Sequence, residues 1–251
     1  MTATVPAGGA LTVEQLLLPG QAAAPAGPVD VAAMYVMHRA FRRDLALFAA
    51  ATAATPVADR ECWARLGRRW EVFSSVLHKH HSGEDAGLWP LLLERSSGDG
   101  AAAVLAAMSA EHERIDPLLR ECAAGFAVLA RTADDGARRT LARRTLARRT
   151  AELRELLEAH LAHEERDAMA LVQAHLTQRD WERLDKEHFA PEYGLRDVPA
   201  VLAWVMHGLT PQAARKVPGG PVLHIVGRLL ARRLARADRR TFRHVVKAGE
   251  S

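Results

Sequence analysis

Histidines and carboxylates recur along this chain at spacings that place them on one face of a helix. His80 stands four residues before Glu84, His160 four before Glu164, and His112 four before Asp116. A separation of four puts two side chains one turn apart on a shared face. Each pair also continues a stripe of apolar residues with alternating steps of three and four. Trp63, Leu66, Trp70, Phe73 and Leu77 lead into His80, Glu84 and Leu88. Leu105 and Met108 lead into His112 and Ile115, and Leu153 and Leu157 into His160 and Glu164. A fourth stripe, Met34, His38, Phe41, Leu45 and Phe48, carries one more histidine. Ionisable groups on an inward stripe cost several kcal/mol each unless they are paired or coordinated. Imidazole and carboxylate are metal ligands, so a shared metal centre removes that cost. His38, His80, Glu84, His112, Asp116, His160 and Glu164 are the seven candidate ligands. Seven exceed what one tetrahedral zinc takes and suffice for two octahedral irons with a bridge and an open position.

Neighbouring residues fill supporting places. His81, Asp85, His163 and Glu165 are expected to orient the imidazoles or to act as alternative ligands, or else to be exposed. Tyr35, close to His38 on its helix, either donates a hydrogen bond into the site or packs. His78 is expected to face solvent, and His188, His207 and His224 have no partners at ligand spacing. No Ser/His/Asp triad, Cys/His pair, phosphate-cradling glycine loop or dinucleotide fingerprint is present, so no catalytic side chain is assigned.

The elements that must position these residues are helices. Alanine is abundant, aromatics are only 5% of residues, and no segment alternates with period two. Breaks at Thr55-Pro56, at Ser96-Ser97-Gly98-Asp99-Gly100 and at Asp134-Asp135-Gly136 divide residues 29–176 into four long helical segments. The expected fold is therefore all-α, an antiparallel four-helix bundle. Residues 1–28, rich in Ala, Gly and Pro, are expected to be a flexible tail. Beyond residue 176, Pro191, Pro199, Pro211, Pro218 and Pro221 cut the chain into shorter pieces that end in an arginine-rich helix. Residues 177–251 are thus expected to form a helical extension on the bundle.

The strings His80-His81-Ser82-Gly83-Glu84-Asp85 and His160-Leu161-Ala162-His163-Glu164-Glu165, with His38 in MHRAFRRDL and His112 in EHERID, resemble the signatures of hemerythrin/HHE cation-binding domains. The resemblance covers roughly residues 31–175, in the family's order. It implies a hemerythrin-like bundle with two non-haem irons, oxo- or hydroxo-bridged, that binds or senses O2, NO or peroxide. It leaves open a peroxide-decomposing (catalase-like) or NO-handling oxidoreductase on the same site, or a metal-sensing regulator with basic partner-binding segments. Hemerythrin proper has two histidines on its third helix, where this chain offers His112 with Asp116. His81 stands ready to replace His80 or to add a ligand.

Other features narrow the class. The N-terminal 30 residues contain no Lys or Arg, and no apolar run is long enough to span a bilayer, so a cytoplasmic protein is expected. Cys62 and Cys122 belong to no ligand-spaced pair and fit reduced thiols, with one long-range disulfide as the alternative. The net charge of +4 reflects arginine-rich segments, including an exact five-residue repeat, Arg138-Arg139-Thr140-Leu141-Ala142 and onward. Five residues advance about 140° past a full turn, which spreads the arginines around a solvated helix. Without aromatic interleaving or a zinc-finger or helix-turn-helix signature, nucleic acid is not an expected partner. The apolar face of the terminal helix, Leu223, Val226, Leu230 and Leu234, is expected to dock on the bundle, with a membrane-surface role as the alternative.

Overall fold

A computed structural model describes residues 12–96, 100–131, 136–217 and 219–246. The parts of the expected tail, of the second and third breaks and of the C-terminus that fall at 1–11, 97–99, 132–135 and 247–251 lie outside these. Four long helices form the bundle: α1 (Ala32–Ala54), α2 (Arg60–Gly83), α4 (Ala101–Ala130) and α5 (Gly136–His163). Two of them run on past a wider π-helical turn. Glu84–Leu88 joins α2 to α3 (Trp89–Arg95), and Glu164–Ala168 joins α5 to α6 (Met169–His175). The all-α expectation holds, and no strand occurs among the described residues beyond one bridge between Val13 and Gly27.

Cross-helix contacts show why the bundle is antiparallel. His38, Phe41 and Phe48 of α1 meet His80, Phe73 and Trp70 of α2 in reversed order. Trp63 meets Phe126 while His81 meets His112, which sets α2 against α4. Thr52 bonds Thr150 at 2.8 Å and closes the ring from α1 to α5. The stripes read from the sequence are this interior, with Trp63, Trp70, Phe41, Phe48, Phe73 and Phe126 buried. Asp59 caps α2 by accepting from the Cys62 amide, and Thr55, in extended conformation before Pro56, ends α1. Both cysteines are free, buried thiols.

The arginine repeat serves helix ends. Arg139 is buried and donates to the carbonyls of Arg131 and Val57, and Arg143 donates to that of Ala53. These guanidiniums satisfy carbonyls that the ends of α1 and α4 leave without intrahelical partners. The expectation of a purely solvated face is corrected to that extent.

Residues 12–28, expected as part of the flexible tail, lie against the bundle. Gln173 of α6 accepts from the Val29 amide at 3.0 Å and donates to the Val29 carbonyl at 2.9 Å. Leu18 and Gly27 are buried, and the Ala22 amide donates to Glu165 at 2.7 Å.

The extension comprises α7 (Gln178–Leu184), a third π-turn (Asp185–Phe189), α8 (Val198–Met206), α9 (Pro211–Arg215), α10 (Pro221–Thr241) and α11 (Arg243–Val246). Trp204 anchors it: the buried indole lies on Phe41, and its N–H donates to Asp44 at 2.8 Å. Arg43 and Arg69 each come within 2.6 Å of the same carboxylate. No helix of the described residues is long and apolar enough to cross a membrane.

Candidate metal centre

The four bundle helices bring the histidines to one level, where their donor atoms form two neighbouring groups. His38, His80, Glu84 and Glu164 make one, and His81, His112 and His160 the other, with donor atoms in each within 4.8 Å of one another. All seven side chains are buried.

Two glutamates lie between the groups. Glu84 places one oxygen 3.0 Å from His80 Nε2 and the other 3.5 Å from His112 Nε2. Glu164 Oε2 is 3.2 Å from His38 Nε2 and 3.9 Å from His160 Nε2. Each carboxylate thus faces one imidazole from each group. Their placement follows from local structure. Glu84 and Glu164 are the first residues of the two π-turns, one turn after His80 and His160. Such turns inside α-helices cluster at functional sites, because the extra residue redirects the side chains that follow. Glu164 and Glu165, adjacent in sequence, are both fully buried.

Outer carboxylates fix the imidazole rings. His38 Nδ1 donates to Glu165 at 3.0 Å, His112 Nδ1 to Asp85 at 2.9 Å, and His160 Nδ1 to Glu111 at 2.8 Å. An ionised carboxylate only accepts, so these bonds place a proton on Nδ1 and turn Nε2 inward, where a neutral ring presents its lone pair. Arg42 clamps Glu165 through both oxygens, at 2.6 and 2.9 Å. Ser109 donates to Asp85 and His163 to Glu111.

Several inward atoms have only one another, or nothing, for a partner. His38 and His80 face each other through Nε2 at 3.3 Å, as do His112 and His160. All four oxygens of Glu84 and Glu164 and both nitrogens of His81 make no hydrogen bond. Buried polar atoms are normally paired, so this concentration of lone pairs is a cradle that one or two cations would complete. The residues present therefore fit a metal centre.

Without a cation the charges are strained. Burial and the neighbouring Glu164 push the Glu84 carboxyl well above the usual range. Burial also opposes ionisation of Glu164, but the His38 imidazolium outweighs it and lowers Glu164 to about 2. Burial disfavours the charged form of His38 too, yet Glu164 and Glu165 raise it to about 9. Burial and the proximity of His38 hold His80 down to about 3. His81 is likewise held well below the usual range, by burial and by His112 and His160.

Of the seven candidate ligands, the structure brings together His38, His80, Glu84, His112, His160 and Glu164. Asp116 stands outside both groups, its side chain 28% exposed, 3.4 Å from His78 and 4.0 Å from His81 Nδ1. His81 lies in the second group instead, its ring stacked on that of His112 with centroids 3.9 Å apart. The reason is geometric: α2 has two bundle neighbours, so His80 faces α1 while His81, about 100° around the helix, faces α4. Asp85, Glu165 and His163 orient rings or the acids that hold them. Tyr35 is buried without a partner for its hydroxyl, and burial with Glu165 and Glu164 nearby raises its pKa. Glu111 and Arg42 were missed in the sequence. Glu111 precedes His112 directly, and adjacency to a stripe histidine was the one available signal.

The extension also reaches the site. Phe189 packs on the Gly83 backbone and lies 6.5 Å from the His80 ring, and His188 sits against Gly87. A cavity of about 50 Å³ on the opposite side, lined by Glu111, Ile115 and His160 among others, reaches the edge of the second group.

A helical bundle whose core holds facing imidazoles and two shared carboxylates is the architecture of a cation-binding domain. The model of the Hemerythrin HHE cation binding domain matches residues 29–172, over half of the chain, and the chain belongs to that family. No curated protein and no solved structure matches it.

Proposed function

We propose that this chain is a non-haem di-iron protein of hemerythrin type that binds or senses O2, NO or peroxide. The observation that carries the reading is the placement of Glu84 and Glu164, each between a histidine of one group and a histidine of the other. Two carboxylates so placed suit two cations rather than one. His38 and His80 would hold one ion, His81, His112 and His160 the other, with both glutamates shared. Five imidazoles and two carboxylates leave room at octahedral irons for a further ligand. Irons held there would supply reversible electron exchange with a bound diatomic molecule or peroxide.

The chain's own residues set the limits of that chemistry. Asp85, Glu111 and Glu165 hold the rings in one tautomer, and the surrounding Phe41, Leu77 and Leu157 exclude bulk water.

Metal analysis with optical spectroscopy of the purified protein under air tests the reading. Two irons per chain with oxo-bridge charge-transfer bands are expected; one zinc per chain, or no metal after growth in iron-rich medium, overturns it. Rapid peroxide turnover by the iron-loaded protein, abolished in Glu84→Ala, would assign a peroxide-decomposing activity to the same site.

A further inference from the structure

We infer that α10 is a docking face for an anionic lipid surface. This helix packs on α8 through small residues. Gly227 lies against Leu202 and Met206, where an added Cβ would come within 3.1 and 3.2 Å, and Ala231 is buried beside them. Of the four residues expected to dock, Leu223, Leu230 and Leu234 are half-buried, whereas Val226 turns outward. The remaining large aliphatics point away from the protein: Val222 is 75% exposed, Ile225 62%, Leu229 54% and Val226 41%.

Spacing makes these one surface. Val222, Ile225, Val226 and Leu229 recur at steps of three and four over the first turns of α10. The same outward line continues as Arg232, Arg233, Arg236 and Arg240. All four arginines are exposed, and no carboxylate among the described residues pairs with them. Beside this face a cavity of about 380 Å³ between α9 and α10 has Arg228 and Arg232 on its wall, room enough for a headgroup.

An aliphatic turn followed by unpaired guanidiniums complements the boundary of an anionic bilayer, where acyl chains lie beneath phosphates. Nucleic acid would engage the arginines but leave the aliphatics in water, and no aromatic ring on this face could stack on a base. A second copy meeting face to face would set arginines either on arginines or on aliphatics. Lipid satisfies both halves at once.

Co-sedimentation of the full chain with vesicles of phosphatidylcholine, with and without phosphatidylglycerol, tests this. Binding is expected only with phosphatidylglycerol and should weaken as salt rises. Arg232→Gln/Arg236→Gln should lower the partition coefficient on the order of 20-fold, since each arginine near an anionic surface contributes roughly fivefold. Ile225→Glu/Leu229→Glu should abolish binding while the circular dichroism melt stays unchanged, because both residues are exposed. Failure to bind phosphatidylglycerol vesicles overturns the inference, as does undiminished binding by either variant. A duplex-DNA complex that survives Ile225→Glu/Leu229→Glu, without vesicle binding, or a dimer lost in that variant, would reassign the face.

Discussion

At the scale of single residues, His81 and Asp116 exchange roles between sequence and structure. Both lie near the α2–α4 seam, but only His81 is enclosed, with no hydrogen bond to either nitrogen. His81→Ala is therefore expected to lower metal content from two ions per chain toward one, whereas Asp116→Ala should retain both. Metal analysis of the two variants settles the assignment, and equal loss in both would return Asp116 to the ligand set. The outer acids make a different forecast. Glu111 holds both His160 and His163, so Glu111→Gln removes an anchor without removing a ligand. Metal affinity should fall by about 10–100-fold, measured by chelator competition, and unchanged affinity would make Glu111 a surface acid only. These roles were partly legible. Histidine at ligand spacing is conspicuous in a sequence, while an acid that touches the far side of a ring from another helix has no periodic signature.

At the scale of elements, the π-turns sit where the glutamates turn inward. Glu84 and Glu164 open two of them, and Gly83 and Gly87 lie under the third. A Cβ on Gly87 would meet the His188 ring within 2.6 Å of Cδ2, and one on Gly83 would meet Phe189 within 2.7 Å. Neither ring can swing aside as a flexible side-chain end could, so overpacking should cost about 1–3 kcal/mol. Gly83→Ala is expected to lower the thermal midpoint, and Phe189→Ala added to it should be less than additive. Strict additivity would show that the third π-turn does not rest there. The His-x-x-x-Glu strings announced the candidate ligands, but not that the helix widens at each glutamate. That widening is a tertiary compromise between backbone bonding and an inward glutamate.

At the scale of the whole molecule, two anchors tie the extension to the bundle. Trp204 fills the space between Phe41 and Asp44, and Trp204→Ala should cost about 3–5 kcal/mol. Denaturant midpoints would show the loss, and proteolysis should then strip the extension first; an unaltered midpoint would mean that the extension docks independently of the indole. The second anchor is Asp59, which joins α2 to α11 through Arg243, at 2.6 Å, and His244, also at 2.6 Å. Arg243 first, and His244 with it, hold the Asp59 carboxyl well below the usual carboxylate range. A depressed carboxylate contributes stability that is fully present above its unfolded pKa, about 3.9, and is lost as pH falls through the folded value. The stability gap between wild type and Asp59→Asn, read from urea midpoints of the metal-free proteins, should be constant at neutral pH and narrow below about pH 4. A gap that does not change with pH would show that the ion pair contributes nothing.

The sequence by itself determined the bundle and which buried histidines and glutamates converge in it. Apolar steps of three and four set which face of each helix turns inward, and a histidine on such a face has few tolerable fates besides coordination. That reasoning proposed His38, His80, Glu84, His112, Asp116, His160 and Glu164, of which all but Asp116 lie in the two donor groups. Only the tertiary structure favoured His81 over Asp116, and only it showed Glu111 and Arg42 behind the rings. It also laid residues 12–28 against α6, and it turned the aliphatics at the start of α10 outward because Gly227 and Ala231 packed more closely on α8. Periodicity fixes the inward face of one helix. Which two neighbours that face meets, and how small residues shift the docked side, depends on contacts between segments far apart in the chain.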